Sequence, residues 1–191
     1  MSFFERYDKR IIEPFAIKTI AASFDEKYGM YHSPIDTDNF DYISPSQEQA
    51  IEITSVISKN EINVYRYEKL KVKGKPHLKT SHIKWIKLKP NGDVYSYYGG
   101  SISEIKQAIR KSLESKHEKA KERLNNKAYK QVDLCICIQD GSLFDLFSFE
   151  LEFTDLEKYV FDNIFFITPS HFICYNKKIG FTEYPKVINQ S

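Results

Sequence analysis

The chain has 191 residues, 15% of them aromatic, with only seven glycines and seven prolines. That composition supports one folded domain with a substantial core and excludes fibrous and disordered classes. A net charge of +2 conceals a polarised sequence: eight lysines and no acid lie between Lys69 and Lys89, while seven acids against the single Lys158 lie between Gln139 and Asp162. Oppositely charged surface patches are the expected result.

No run approaches the roughly 18 apolar residues of a membrane span. The opening MSFFERYDKR is charged and lacks the apolar stretch of a secretory signal. Three cysteines, an odd number, do not make a disulfide framework. Together these features predict a soluble cytoplasmic protein in a reducing compartment, with no membrane partner.

In chain order, Phe4, Tyr7, Ile11 and Phe15 recur at helical spacing and predict a helix over roughly residues 3 to 28, kinked or divided at Pro14. GMYHSPIDTDN is a loop. Phe40 to Ser44 and Gln49 to Ile57 read as two strands around a Ser-Pro turn. Residues 61 to 75 are ambiguous, but their end, KLKVKGK, alternates strictly and predicts a strand with one lysine face. SHIKWIKLKPNGDVYSYYGG reads as a hairpin turning at Pro-Asn-Gly-Asp.

A long helix is predicted from about Ser101 to Leu124, capped by Ser101 or Ser103, with Glu104 in its first turn. QVDLCICIQDG reads as a buried strand. FSFELEF alternates and predicts another strand, TDLEKYV a short helix, and NIFFITPSHFICYN two last strands around Pro169. The expected architecture is α/β: a central mixed sheet flanked by helices, in one domain over residues 1 to 191.

The second strand carries an anomaly. Glu52 sits among Ile51, Ile53, Val56 and Ile57, sharing a face with Ala50 and Thr54. A carboxylate in such a setting needs a proton, a cation or a metal. Asp41 lies on the preceding strand, about 4.8 Å away if the two pair. Two carboxylates and the Ile53 carbonyl would suit a hard cation such as Mg²⁺ or Mn²⁺.

The long helix shows a second anomaly: Lys116 interrupts its apolar stripe of Ile102, Ile105, Ile109, Leu113, Ala120 and Leu124. A lysine there must snorkel or find a partner.

A helix, an acid on one strand, an acid-x-lysine on the next, then a helix and a strand is a pattern that this chain resembles with Asp41 and Glu52-Ile53-Thr54. The family is the PD-(D/E)xK nuclease superfamily. The resemblance covers roughly residues 3 to 140 and three motif positions, and it implies a restriction-endonuclease-like core with residues 141 to 191 packed on it. Thr54 occupies the lysine position, and no proline precedes Asp41.

In this superfamily the lysine can move to the following helix, which would be Lys116. The resemblance further implies Glu13 as an added metal ligand from the first helix. It implies Mg²⁺- or Mn²⁺-dependent hydrolysis of nucleic acid, DNA before RNA, as in phages, mobile elements or defence systems.

The lysine-rich stretch, through Lys71, Lys73, Lys75, Lys79, Lys84, Lys87 and Trp85, would grip the phosphate backbone and stack on bases. The alternative is a catalytically inactive module on the same fold that binds nucleic acid or a protein. Cys135-x-Cys137 and His171-x-x-Cys174 make a poor zinc set, because strand residues three apart face opposite ways. No Gly-rich phosphate loop is present, which excludes P-loop and Rossmann chemistry.

Overall fold

The computed structural model describes residues 8–35, 39–57, 62–63, 67, 71, 86–91, 94–97, 101–126, 129–138 and 145–187. Helix α1 spans Lys9–Ser23 and is followed by a 3-10 turn at Glu26–Met30. Strands β1 (Tyr42–Ile43) and β2 (Gln49–Val56) form a hairpin, as do β3 (Ile86–Leu88) and β4 (Val94–Tyr97). Helix α2 (Ile102–Asn126) then leads into β5 (Gln131–Ile138). Helix α3 (Leu146–Glu152), a 3-10 turn at Leu156–Lys158, and strands β6 (Asn163–Ile167), β7 (Phe172–Asn176) and β8 (Gly180–Tyr184) complete the chain.

The main sheet has six strands in the order β1-β2-β5-β6-β7-β8, with β2, β5 and β6 mutually parallel and the other pairings antiparallel. β3 and β4 form a separate two-stranded sheet. Because the parallel strands are covered on both faces, they read as near-continuous apolar runs. One face, carrying Ala50, Val56, Leu134, Ile136, Ile164 and Phe166, packs against Ile105, Ile109 and Leu113 of α2 and Phe149 of α3. The opposite face, carrying Ile51, Ile53, Cys135, Cys137 and Phe165, packs against Ile12, Ala16, Ile17 and Ile20 of α1.

α2 begins with a reciprocal cap. Ser101 Oγ accepts from the Glu104 amide at 3.2 Å, and Glu104 accepts from the Ser101 amide at 3.0 Å. Lys106 of α2 pairs with Glu152 of α3 at 2.7 Å, and the Arg110 guanidinium lies over the Phe153 ring, binding the two helices on one side of the sheet.

Several expectations are corrected. The buried face of α1 runs through Ile12, Ala16, Ile17 and Ile20, while Phe15 is 37% exposed, and the helix continues through Pro14. FSFELEF is helix α3 and not a strand: Asp145 caps it by accepting from the Ser148 amide, and Phe149 and Phe153 fall inward four residues apart. β1 is shorter than expected, β8 was not foreseen, and Ile102 at the head of the α2 stripe is 44% exposed. Of the KLKVKGK stretch only Lys71 is described, with helical backbone, and the other six residues of the expected strand lie outside the described residues.

Candidate active site

The β1–β2 hairpin sets the first two carboxylates. Tyr42 pairs with Ile51 and Ile43 with Ala50, so one further step along the register brings Asp41 level with Glu52. β1 ends there, and the Asp41 side chain takes over: its Oδ2 accepts from the Ile53 amide at 2.7 Å, in place of a ladder carbonyl. The carbonyl of a strand residue points to the same edge as its own amide, which aims the Ile53 oxygen toward Asp41 as well.

Glu52 lies on the α2 face of the sheet and is 3% exposed. Each of its oxygens meets a base from α2: Oε1 is 2.5 Å from Lys116 Nζ, and Oε2 is 2.5 Å from Arg123 Nη1. Lys116 and Arg123 are seven residues, about two helical turns, apart and therefore share a helix face. The Arg123 guanidinium also lies 5.3 Å from the centre of the Phe40 ring, which fixes its approach. Lys116 Nζ is also 4.0 Å from Asp41 Oδ2, so this one ammonium joins both strand carboxylates.

α1 supplies a third carboxylate and a third base. Lys9 Nζ stands between Asp41 Oδ1, at 3.0 Å, and Glu13 Oε1, at 2.8 Å. The angle to Glu13 forms no hydrogen bond, so the buried Oε1 has no hydrogen-bond partner among the described residues. Burial, opposed by Lys9, holds the Glu13 carboxyl above the ordinary glutamate pKa. The Lys9 side chain is 71% exposed, unlike the other members of the cluster.

The result is an unbroken chain of opposite charges, Glu13–Lys9–Asp41–Lys116–Glu52–Arg123, with three acids balanced by three bases. Among the described residues no three Asp, Glu, His or Cys side chains close on a single point as a ready metal cage. The nearest approach to a cation site is the pair Glu13–Asp41, where the Lys9 ammonium already stands as a monovalent cation between two carboxylates. Those oxygens, with the Ile53 carbonyl, are the hard donors that suit Mg²⁺ or Mn²⁺.

Of the sequence-identified residues, the fold brings together Glu13, Asp41, Glu52, Ile53 and Lys116, with half-buried Thr54 next on the Glu52 face. Arg123 and Lys9 were missed. Both had a signal in spacing: Arg123 lies seven residues beyond Lys116, and Lys9 four residues before Glu13. In the lysine-rich stretch, Lys87 is exposed on β3 and Lys71 is half-buried. Lys73, Lys75, Lys79, Lys84 and Trp85 lie outside the described residues.

A second polar cluster occupies the opposite face. Asp133 of β5 is fully buried and accepts from Tyr28 Oη at 2.6 Å, Gln131 Nε2 at 2.7 Å, and the Asn163 amide and Nδ2 at 3.0 and 2.9 Å. No cation faces it in these contacts, and burial raises its pKa to about 6 despite the four donors. The cysteines Cys135, Cys137 and Cys174 are buried free thiols, while His171 pairs outward with Glu183 at 2.5 Å. Among the described residues no helix is long and apolar enough to cross a membrane. The chain matches no known protein-family model, no curated protein and no solved structure.

Proposed function

We propose that this protein is a metal-dependent nuclease that hydrolyses phosphodiester bonds in nucleic acid. The observation that carries this reading is Lys116. It reaches from α2 to Glu52 at 2.5 Å and stands 4.0 Å from Asp41, supplying from the helix the ammonium that the strand lacks at Thr54. Asp41, Glu13 and the Ile53 carbonyl would hold Mg²⁺ or Mn²⁺, with Glu52 alongside, each of its oxygens keeping a lone pair beyond the one given to a base.

When bound, the ion supplies an acidified water and polarises a phosphoryl oxygen. Charge balance supports the arrangement. With Lys9 in place the cluster is neutral, so a divalent ion would enter an uncompensated site. With Lys9 swung into solvent, the remaining three acids and two bases carry one net negative charge. A divalent ion then makes the site singly positive, and one phosphodiester neutralises it. Lys9 is the most exposed member of the chain and so the one base with a path into solvent.

Lys116 orients the attacking water and steadies charge developing on the phosphoryl oxygens. Glu52 and Arg123 act on Lys116 and on the wall behind it, holding the ammonium toward Asp41. Low dielectric around the 3% exposed Glu52 strengthens these interactions relative to water.

The test is nicking of supercoiled plasmid with Mg²⁺, in parallel with single-stranded DNA and RNA, for wild type and Lys116→Met. Met keeps the side-chain stem and leaves Glu52 paired with Arg123. The expected result is Mg²⁺-dependent cleavage that EDTA stops and that Lys116→Met reduces about a hundredfold or more. The comparison is made at a temperature where circular dichroism shows the variant folded, since Glu52 then keeps only Arg123. Equal cleavage by the variant would remove Lys116 from the chemistry and with it the observation that carries this reading. None by wild type on all three substrates would leave a binding module whose charge chain is structural.

A further inference from the structure

The segment that brings Asp41 to the sheet is not held by the sheet. Residues 39–41 make no backbone-to-backbone hydrogen bond among the described residues, since β1 starts only at Tyr42. A carboxylate that is to serve a site must be fixed to within about 0.5 Å, which a backbone outside the ladder does not achieve by itself. Side chains supply the missing restraint.

Phe40 is 1% exposed. Its ring meets the Tyr129 ring edge-on, with centroids 5.2 Å apart, and the Arg123 guanidinium lies over it. The Tyr129 hydroxyl donates to Asn39 Oδ1 at 2.7 Å, and the Phe40 amide donates to the same oxygen at 2.9 Å. Tyr129 therefore grips two consecutive residues, and Asp41 is the next. A phenylalanine would fill the same space and keep the ring contact, so the hydroxyl serves the bond to Asn39 and not the packing.

Tyr129 has a firm mount. The next two amides, of Lys130 and Gln131, both donate to the Glu48 carbonyl, at 2.7 and 3.3 Å, at the head of the strand that carries Glu52 and Ile53. We infer that Tyr129 is a positioning residue for Asp41, acting through Asn39 and Phe40 to hold the carboxylate against the Ile53 amide. The inference rests on the metal-dependent reading for one consequence only: with an ion bound, loosening this clasp weakens the hold on the ion. Outer partners of metal ligands typically contribute about 10–100-fold in affinity.

The experiment has a metal-free arm and a metal arm. In EDTA, hydrogen exchange of the Ile53 amide reports on Asp41, whose Oδ2 accepts from that amide at 2.7 Å. Tyr129→Phe keeps the ring, removes the hydroxyl, and is expected to speed this exchange about tenfold. Asn39→Ala is expected to do the same, and the double variant no more than Asn39→Ala alone, because both delete one bond. Asn176→Ala is the structural control: it deletes a 2.7 Å hydrogen bond to Asn163, on a strand three places from β2, and is expected to leave Ile53 exchange as in wild type. By calorimetry, at a temperature where circular dichroism shows every variant folded, Tyr129→Phe is expected to bind Mn²⁺ about tenfold more weakly than wild type and Asn176→Ala as tightly.

Unchanged Ile53 exchange in Tyr129→Phe, or an equal increase in Asn176→Ala, overturns the inference. So does equal Mn²⁺ affinity of Tyr129→Phe and wild type. The two readings fail separately. If wild type binds no Mn²⁺, the metal-dependent reading falls, and the exchange rates alone decide whether Tyr129 positions Asp41.

Discussion

Glu52 is held by two bases inside the sheet–helix layer, and removing its charge leaves both without their partner. Lys116 and Arg123 keep some solvent access, with side-chain exposures of 15% and 24%. Glu52→Gln is therefore expected to cost about 2–3 kcal/mol, below the 3–5 kcal/mol of a fully buried broken pair. Urea denaturation checks this. A change below about 0.5 kcal/mol would place the pair in the class of surface ion pairs.

Asp133 makes the opposite kind of prediction. Its folded pKa, about 6, lies above the ordinary aspartate value, so folding favours its protonated form. The stability this group adds is fully present below about pH 4 and is lost as pH rises to about 6, amounting to about 3 kcal/mol. Relative to Asp133→Asn, wild type should become less stable by about that amount between pH 4 and pH 7, as read by unfolding at each pH. A pH-independent difference between the two proteins would contradict it.

At this scale the sequence was informative where a charge broke an apolar pattern. Glu52 and Lys116 were legible for that reason. Arg123 was not, because it lies between the last two stripe residues, Ala120 and Leu124, near the helix end, where an arginine is ordinary. Asp133 was hidden because its donors, Tyr28 and Asn163, are distant in the chain.

Among the elements, α2 was the most legible. Its Ile105–Ile109–Leu113–Ala120 stripe is buried and its cap is the reciprocal Ser101–Glu104 pair. Leu113, 1% exposed and one turn before Lys116, packs in the layer that positions the ammonium. Leu113→Ala is expected to destabilise by about 2–5 kcal/mol. Any further loss of cleavage beyond the unfolded fraction would show that packing aims Lys116.

α3 was misread because FSFELEF satisfies two periods at once. Its alternation fits a strand, while Phe149 and Phe153 also fit one helix face, and the Asp145 cap decides between them. β8 escaped because its residues are half-buried or exposed and show neither pattern clearly.

For the whole molecule, the α/β class followed from strands on both sides of one long helix. The strand order did not, since the placement of β6, β7 and β8 beside β5 depends on contacts between remote segments. That order puts apolar layers on both faces of the sheet and leaves the short β1 as an edge next to β2. The edge is where Asp41 replaces a ladder partner, where the charge chain gathers, and where α1 and α2 both reach the sheet.

The most direct test of the central claim is a calorimetric titration with Mn²⁺ of wild type, Lys9→Ala and Asp41→Asn. The charge-chain account predicts one site in wild type, about tenfold tighter in Lys9→Ala because the competing ammonium is gone, and no binding in Asp41→Asn. No binding in either wild type or Lys9→Ala would show that the three carboxylates serve only their own bases, and would contradict the metal-dependent reading.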